Sequence, residues 1–358
     1  MNFENENFII NPHFIFKEII SDKIEGFSVS SLFDIFIDKD GDTILAFPYF
    51  DIKNPTLKEY NIALMSLKNN EIKKKLEGHI SRFKVIKYFY DEISDKKYLV
   101  SSDRKNKVII WDINNNYSKV YENIFEFKKN INDVLMLFIN KEIFILIASL
   151  SEEDATKIIN LNQEKNFEVK SQTEFPDSKG LNKFSLSHWH KRDTNIDYII
   201  QTGINKIIIN ALKTKELYAT ITTTQEYPNN ISSFIYNKNG KDFALITSNF
   251  GIVIIYDLIN KQIFKEIKIE NAYLINTLKW NENIFITINA NKKAILLIDS
   301  NNNRVINSVE MKEIFGHERF MRKVRHPIYG EALISVGNDY KIKLYIDKNI
   351  EKNIKLFL

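Results

Sequence analysis

The chain has 358 residues, longer than a usual ~100–150-residue domain, and its 44% apolar content with 26 Phe and 16 Tyr excludes general disorder. Fifty basic residues against 46 acidic ones leave a net charge of +4, short of the strongly basic field of a dedicated nucleic-acid binder, so any binding face must be local. The lack of cysteine excludes disulfides, thiolate metal sites and cysteine redox chemistry. No stretch approaches the ~18 apolar residues of a membrane helix. The opening MNFENENFII lacks the order of a signal peptide, so a soluble cytoplasmic or nuclear protein is expected.

In chain order, the first strand-like run is His13-Phe-Ile-Phe-Lys-Glu-Ile-Ile20, which leads into Lys23-Ile-Glu-Gly26. From there runs rich in Ile, Val, Tyr and Phe alternate with Asn, Asp, Gly and Lys clusters, without a sustained helical period. An all-β protein is predicted. Seven runs resemble one another: Asn61-Ile-Ala-Leu-Met65, Lys107-Val-Ile-Ile-Trp-Asp112, Lys157-Ile-Ile-Asn160, Lys206-Ile-Ile-Ile-Asn210, Gly251-Ile-Val-Ile-Ile-Tyr-Asp257, Ala294-Ile-Leu-Leu-Ile-Asp299 and Lys341-Ile-Lys-Leu-Tyr345. Aligned on Met65, Trp111, Ile159, Ile209, Tyr256, Ile298 and Tyr345, they recur every 42 to 50 residues. That spacing is close to the ~40–45-residue repeat of a propeller. The runs are continuously apolar, which fits strands covered on both faces.

Glycine marks the same period. Gly26, Gly78, Gly180 and Gly316 precede the first strand of a unit, Gly41, Gly240 and Gly330 follow it, and Gly203, Gly251 and Gly337 precede the third. Each unit reads as four antiparallel strands, and residues 1–358 as one seven-bladed β-propeller domain. An open ring would expose sheet edges, so the segment at about 10–20 is expected to complete the last blade. Asn353-Ile-Lys-Leu-Phe-Leu358 competes for that edge.

Leu76-Glu-Gly-His79, followed by Tyr98-Leu-Val-Ser-Ser102 and Val108-Ile-Ile-Trp-Asp112, resembles the Gly-His to Trp-Asp frame of WD-repeat propellers. Phe315-Gly-His317, Leu333-Ile-Ser335, Asp339 and Tyr345 repeat it in the last blade. Blades 3 and 4 lack both signature pairs, and Lys105 stands where the family has its turn Asp. The resemblance implies that His79, Ser102 and Trp111, and likewise His317, Ser335 and Asp339, form buried hydrogen-bond networks and not catalytic groups. It also implies a non-catalytic scaffold that binds proteins as a subunit of a larger complex.

Three of the seven arginines, Arg319, Arg322 and Arg325, fall within Glu318–His326. Arginine's planar fork suits paired recognition of carboxylate or phosphate. The resemblance places this loop, with Arg82 of blade 2, on the face around the central channel, where Phe83 and Phe320 would add aromatic contacts. An acidic or phosphorylated partner segment is the expected ligand, and the competing reading pairs these arginines with acids such as Asp34. A phosphoinositide reader or an RNA-assembly factor are the alternatives. The first lacks the paired-arginine motif of lipid-binding propellers, and the second lacks a continuous basic stripe, Lys73-Lys-Lys75 lying apart from the blade 7 cluster.

His188 and His190 flank Trp189 and share one side of a strand. Two ligands do not make a metal site, and Asp193 reads as part of an exposed turn, so no metal is expected. Ser151-Glu-Glu-Asp154 lacks the alternating ligands of a calcium loop. No phosphate-cradling loop, dinucleotide fingerprint or zinc-protease motif occurs, so neither cofactor nor enzymatic activity is expected.

Overall fold

The computed structural model describes residues 14–20, 32–49, 60–162, 167–181, 183–222, 230–248, 252–268, 272–280, 283–290, 294–299, 304–310, 320–327, 330–336 and 342–347. The regular structure of the described residues is all strand except for one 3-10 turn at Pro176–Ser178. Strand β1 spans Phe14–Ile20. The first sheet follows as β2 (Asp34–Ile37), β3 (Thr43–Tyr49), β4 (Tyr60–Ser66) and β5 (Ile72–His79). The second is β6 (Phe83–Asp91), β7 (Lys96–Asp103), β8 (Lys107–Asp112) and β9 (Ser118–Ile124). The third is β10 (Ile131–Ile139), β11 (Glu142–Ser149), β12 (Thr156–Asn162) and β13 (Glu168–Phe175). The fourth is β14 (Lys183–Lys191), β15 (Ile196–Gly203), β16 (Lys206–Ala211) and β17 (Leu217–Thr222). The fifth is β18 (Asn230–Lys238), β19 (Lys241–Ser248), β20 (Ile252–Asp257) and β21 (Gln262–Lys268). The sixth is β22 (Ala272–Trp280), β23 (Asn283–Ala290), β24 (Ala294–Asp299) and β25 (Arg304–Glu310). Three last strands, β26 (Phe320–His326), β27 (Gly330–Val336) and β28 (Ile342–Asp347), join β1 in a further sheet ordered β1-β28-β27-β26.

Every sheet is four-stranded and antiparallel, six of them meanders and the last a three-strand meander completed by β1, and the apolar runs of the sequence are the third strands β4, β8, β12, β16, β20, β24 and β28. The turns after the first strand need positive φ. Gly41 (φ 78°) and Gly240 (φ 77°) provide it in the first and fifth sheets, and Asp95, Asn140 and Asn195 in the second, third and fourth. The abundant Asn of the chain is thus partly turn chemistry. Gly78 precedes β6 as expected, lying near the end of β5 with φ 140° beside a register shift. A Cβ there would come within 3.1 Å of Lys119 Nζ and 3.3 Å of Ile109 Cδ1.

Both faces of the strands are buried. Along β7, Leu99 packs with Phe36, Ile44 and Ala46 of the first sheet. Its neighbours Tyr98 and Val100, on the opposite side, pack with Val134, Met136 and Ile145 of the third. Leu146 and Ile158 meet Leu186 and Ile199 between the third and fourth sheets, and Ile200 and Ile209 meet Ile246 and Ile254 between the fourth and fifth. The series returns on itself. Leu45, Phe47, Ala63 and Met65 of the first sheet pack against Val324, Ala332, Ile334 and Leu344 of the last. The first strand of each sheet neighbours that of the next, and β26 neighbours β2.

Polar ties reinforce the inner strands. Asp34 Oδ2 accepts from Tyr88 N at 2.8 Å, and Asp133 Oδ2 from Leu186 N at 2.7 Å, each reaching from one sheet to the next. Lys87 Nζ pairs with Asp133 Oδ1 at 2.5 Å, and Thr43 Oγ1 donates to the carbonyl of Arg325 at 3.0 Å.

Strand β1 pairs antiparallel with β28, Phe16 opposite Tyr345 and Lys17 opposite Leu344. The competing segment 353–358 lies outside the described residues. Removal of residues 1–20 is expected to lower the melting temperature by more than about 5 °C, because β28 loses its outer partner. Differential scanning calorimetry of the truncated chain checks this, and an unchanged melting temperature would contradict it.

Candidate functional site

In the second sheet, four polar side chains form one directed chain. Trp111 Nε1 donates to Ser101 Oγ at 3.0 Å, Ser101 Oγ lies 2.7 Å from His79 Nε2, and His79 Nδ1 lies 3.2 Å from Asp103 Oδ2. An ionised Asp103 only accepts, so Nδ1 carries the imidazole proton and Nε2 receives the serine proton. Asp103 also accepts from the backbone N–H groups of Ile80, Lys105 and Lys107, fixing the turn between β7 and β8. It thereby takes the turn role that Lys105 does not fill.

The partner of His79 is Ser101 and not Ser102, which corrects the expected network. Strand parity is the reason. Ser101 stands opposite Ile109, on the side of Leu99 and Trp111 that faces the first sheet, whereas Ser102 turns toward the third. Ser102 Oγ is buried without a hydrogen-bond partner among the described residues. A Ser–His–Asp order suggests hydrolysis, but His79, Ser101 and Asp103 are all buried, so no substrate reaches the hydroxyl. Burial lowers the pKa of His79, outweighing the pull of Asp103. Burial also opposes ionisation of Asp103, yet the His79 and backbone hydrogen bonds win and hold it below the ordinary carboxylate value.

The fourth sheet keeps the positions and changes the residues. Gln201 and Asn210 stand where Ser101 and Trp111 do, with Gln201 Nε2 donating to Asn210 Oδ1 at 3.0 Å and Thr156 Oγ1 to Gln201 Oε1 at 2.5 Å. This network ties the third sheet to the fourth and carries no WD signature. In the last sheet, His317 and Asp339 lie outside the described residues, as does the side chain of Ser335.

The channel-side loops are less open than expected. Arg82 is exposed, but Phe83 is buried and meets the His79 ring edge-on with centroids 4.7 Å apart. Its proposed surface contact is corrected to an inward brace, since strand parity turns it to the core side. Arg322 Nε lies 3.7 Å from Asp34 Oδ1, and its guanidinium lies 6.0 Å from the Phe33 ring. That pair is the competing reading of the arginine cluster. Arg325 is exposed, while Arg319 and the side chain of Phe320 lie outside the described residues.

At the other end of the strands, a cleft of about 570 Å³ holds the two histidines beside Trp189. Both rings meet one carboxylate oxygen, His188 Nε2 at 2.8 Å and His190 Nδ1 at 2.9 Å from Asp197 Oδ1. Asp197 starts β15, directly across from His190 in the β14–β15 ladder. This cross-strand pairing, not sequence proximity, selects it over Asp193, which pairs with Lys191 at the surface. Among the described residues, no group of three His, Cys, Asp or Glu is placed to hold a metal. No helix there is long and apolar enough to cross a membrane.

No protein-family model matches the sequence, and no curated protein sequence is similar to it. Solved structures are similar to the whole chain. The structure titled as BBS1N in complex with ARL6DN has a TM-score of 0.64 at 9% identity, covering 94% of this chain and 98% of that one. The β-propeller domain of Cps50 (Swd1) from Myceliophteria thermophila has a TM-score of 0.63 at 14% identity, covering 92% and 99%. At these identities the likeness is one of fold: the chain is a β-propeller of repeated four-stranded antiparallel blades.

The buried network makes stability depend on pH. The folded state favours neutral His79, so the unfolded chain takes up a proton first as the pH falls below about 6.5. The stabilisation is full above that value and declines below it. His79→Gln should cost about 1–3 kcal/mol at pH 7.5 and flatten the loss of melting temperature between pH 7 and 5.5. Thermal melts at both pH values check this, and an equally steep loss in the variant would contradict it.

Proposed function

We propose that the chain is a single seven-bladed propeller of the WD-repeat type, spanning 1–358, with the N-terminal strand closing the ring. In our reading it is a non-catalytic interaction scaffold and a subunit of a larger protein complex in the cytoplasm or nucleus. The observation that carries this reading is the way inner strands are clasped from blade to blade, by Asp34 on Tyr88 and Asp133 on Leu186. Such clasps hold neighbouring blades in register, and the body presents two rims of loops for contact. The propeller likeness supports the same reading, since one neighbour was solved in complex with a partner, ARL6DN.

On the channel-side rim, Arg82, Arg319, Phe320 and Arg322 form the proposed docking surface, with Phe83 bracing it from beneath. Arg322 is held at the site by Asp34, and the arginines of this rim meet an acidic or phosphorylated partner segment. Arg319→Glu with Arg322→Glu should abolish partner capture and leave the fold intact. Size-exclusion chromatography and mass spectrometry of the tagged chain from its native cells should find a complex well above 42.2 kDa, lost in the double variant. A wild-type chain that elutes as a lone monomer contradicts the scaffold reading, and a complex that survives the double variant contradicts the arginine surface.

A further inference from the structure

The rim opposite Arg82 carries two adjoining clefts, of about 570 Å³ and about 420 Å³, which share Ile93, Phe138 and Asn140. They form a groove from the β6–β7 turn of blade 2, past the β10–β11 turn of blade 3, to the start of β15 and β17 in blade 4. Its volume lies in the ordinary range of ligand sites. Its edge is apolar and open to water: Ile93 is 82% exposed, Leu217 49% and Ile196 38%. Ile37, Tyr90, Ile259 and Phe264 are exposed at this same end of their blades. Ile80 and Ile124 are exposed at the other end, but Ile93 is the most exposed of all and borders a cleft, and exposed apolar side chains around a cleft mark a contact surface.

The polar end of the groove states what it can accept. Asp197 is ionised near neutral pH: burial opposes this, but the two imidazole hydrogen bonds outweigh burial and keep its pKa below the ordinary value. As an acceptor only, it takes one proton from each ring, so His188 carries its proton on Nε2 and His190 on Nδ1. The other ring nitrogens, Nδ1 of His188 and Nε2 of His190, have no hydrogen bond to a described residue. Apart from the imidazoles, the charged groups of the larger cleft are Asp197, Glu216 and Lys213, two carboxylates against one ammonium. An excess of carboxylate selects a cationic donor and disfavours an anion.

We propose that this groove binds an extended segment of a partner protein in which a lysine or arginine stands beside aliphatic or aromatic residues. The cation sits at the Asp197 end, beside Glu216, and the apolar residues cover Ile93 and Phe138. The site is at the opposite end of the strands from Arg82 and Arg322, so either surface can fail while the other holds.

Random dodecapeptides displayed on phage and selected on the full chain test the assignment, with affinities of the consensus peptide read by fluorescence anisotropy. The expected consensus places Lys or Arg within three positions of Leu, Ile or Phe. Ile93→Ser and Asp197→Asn should each weaken the peptide at least tenfold, and exchanging its basic residue for Glu should remove binding. No enrichment over the bare support, an acidic or wholly apolar consensus, or affinities unchanged in the variants would overturn the proposal. Should Asp197→Asn fail to fold, Ile93→Ser and Leu217→Ser decide, because both replace exposed side chains.

Discussion

The fold depends on strands that are apolar on both sides. A sheet such as β6–β9, with Leu99 and Trp111 on one face and Val100 and Ile110 on the other, cannot be stable as a free hairpin stack or as half of a two-layer sandwich. Each sheet must be covered twice. A linear stack would leave its first and last sheets half bare, and the contact of Leu45 and Met65 with Val324 and Ile334 removes those two ends together. Because every sheet is both support and supported, the ring is cooperative, and small clasps such as Asp133 on Leu186 act on a body already constrained on two sides.

Much of this architecture was legible in the sequence for physical reasons. The third strands β8 and β20 are enclosed on both sides, so Lys107–Asp112 and Ile252–Asp257 read as unbroken apolar runs, and glycines mark reversals where φ is positive. The side-chain networks were less legible. Ser101 and Ser102 are adjacent serines in a buried strand, and only the pairing of Ser101 with Ile109 decides which one faces His79. Asp197 was invisible beside His190 because the contact crosses a hairpin, while Asp193 was near in sequence and pointed elsewhere. Blade 4 hid its network altogether, since Gln201 and Asn210 do the work of Ser101 and Trp111 with unrelated side chains. A register alignment of the second and third strands would have exposed that substitution.

Function follows from where polar groups are spent. In blade 2 the hydroxyl, imidazole and carboxylate that could do chemistry are sealed inside and oriented toward a turn. At the rims the situation reverses: Arg82 is exposed on one side, and Ile93, Leu217 and the imidazoles line a groove on the other. The two rims thus differ chemically, one carrying arginine and the other carboxylate and apolar side chains, and under the proposals above they serve different partner segments.

The closed ring can be tested through the strand that joins the two ends of the chain. Since the sequence has no cysteine, a pair introduced at facing positions of β1 and β28 is the only disulfide the protein can form. Two neighbouring pairs, Phe16→Cys with Tyr345→Cys and Lys17→Cys with Leu344→Cys, sample both kinds of antiparallel site. Under mild oxidation at least one pair should close within the monomer, seen as faster migration on a non-reducing gel that reverts with reductant. Free thiols in both variants, or bonds only between molecules, would contradict the ring.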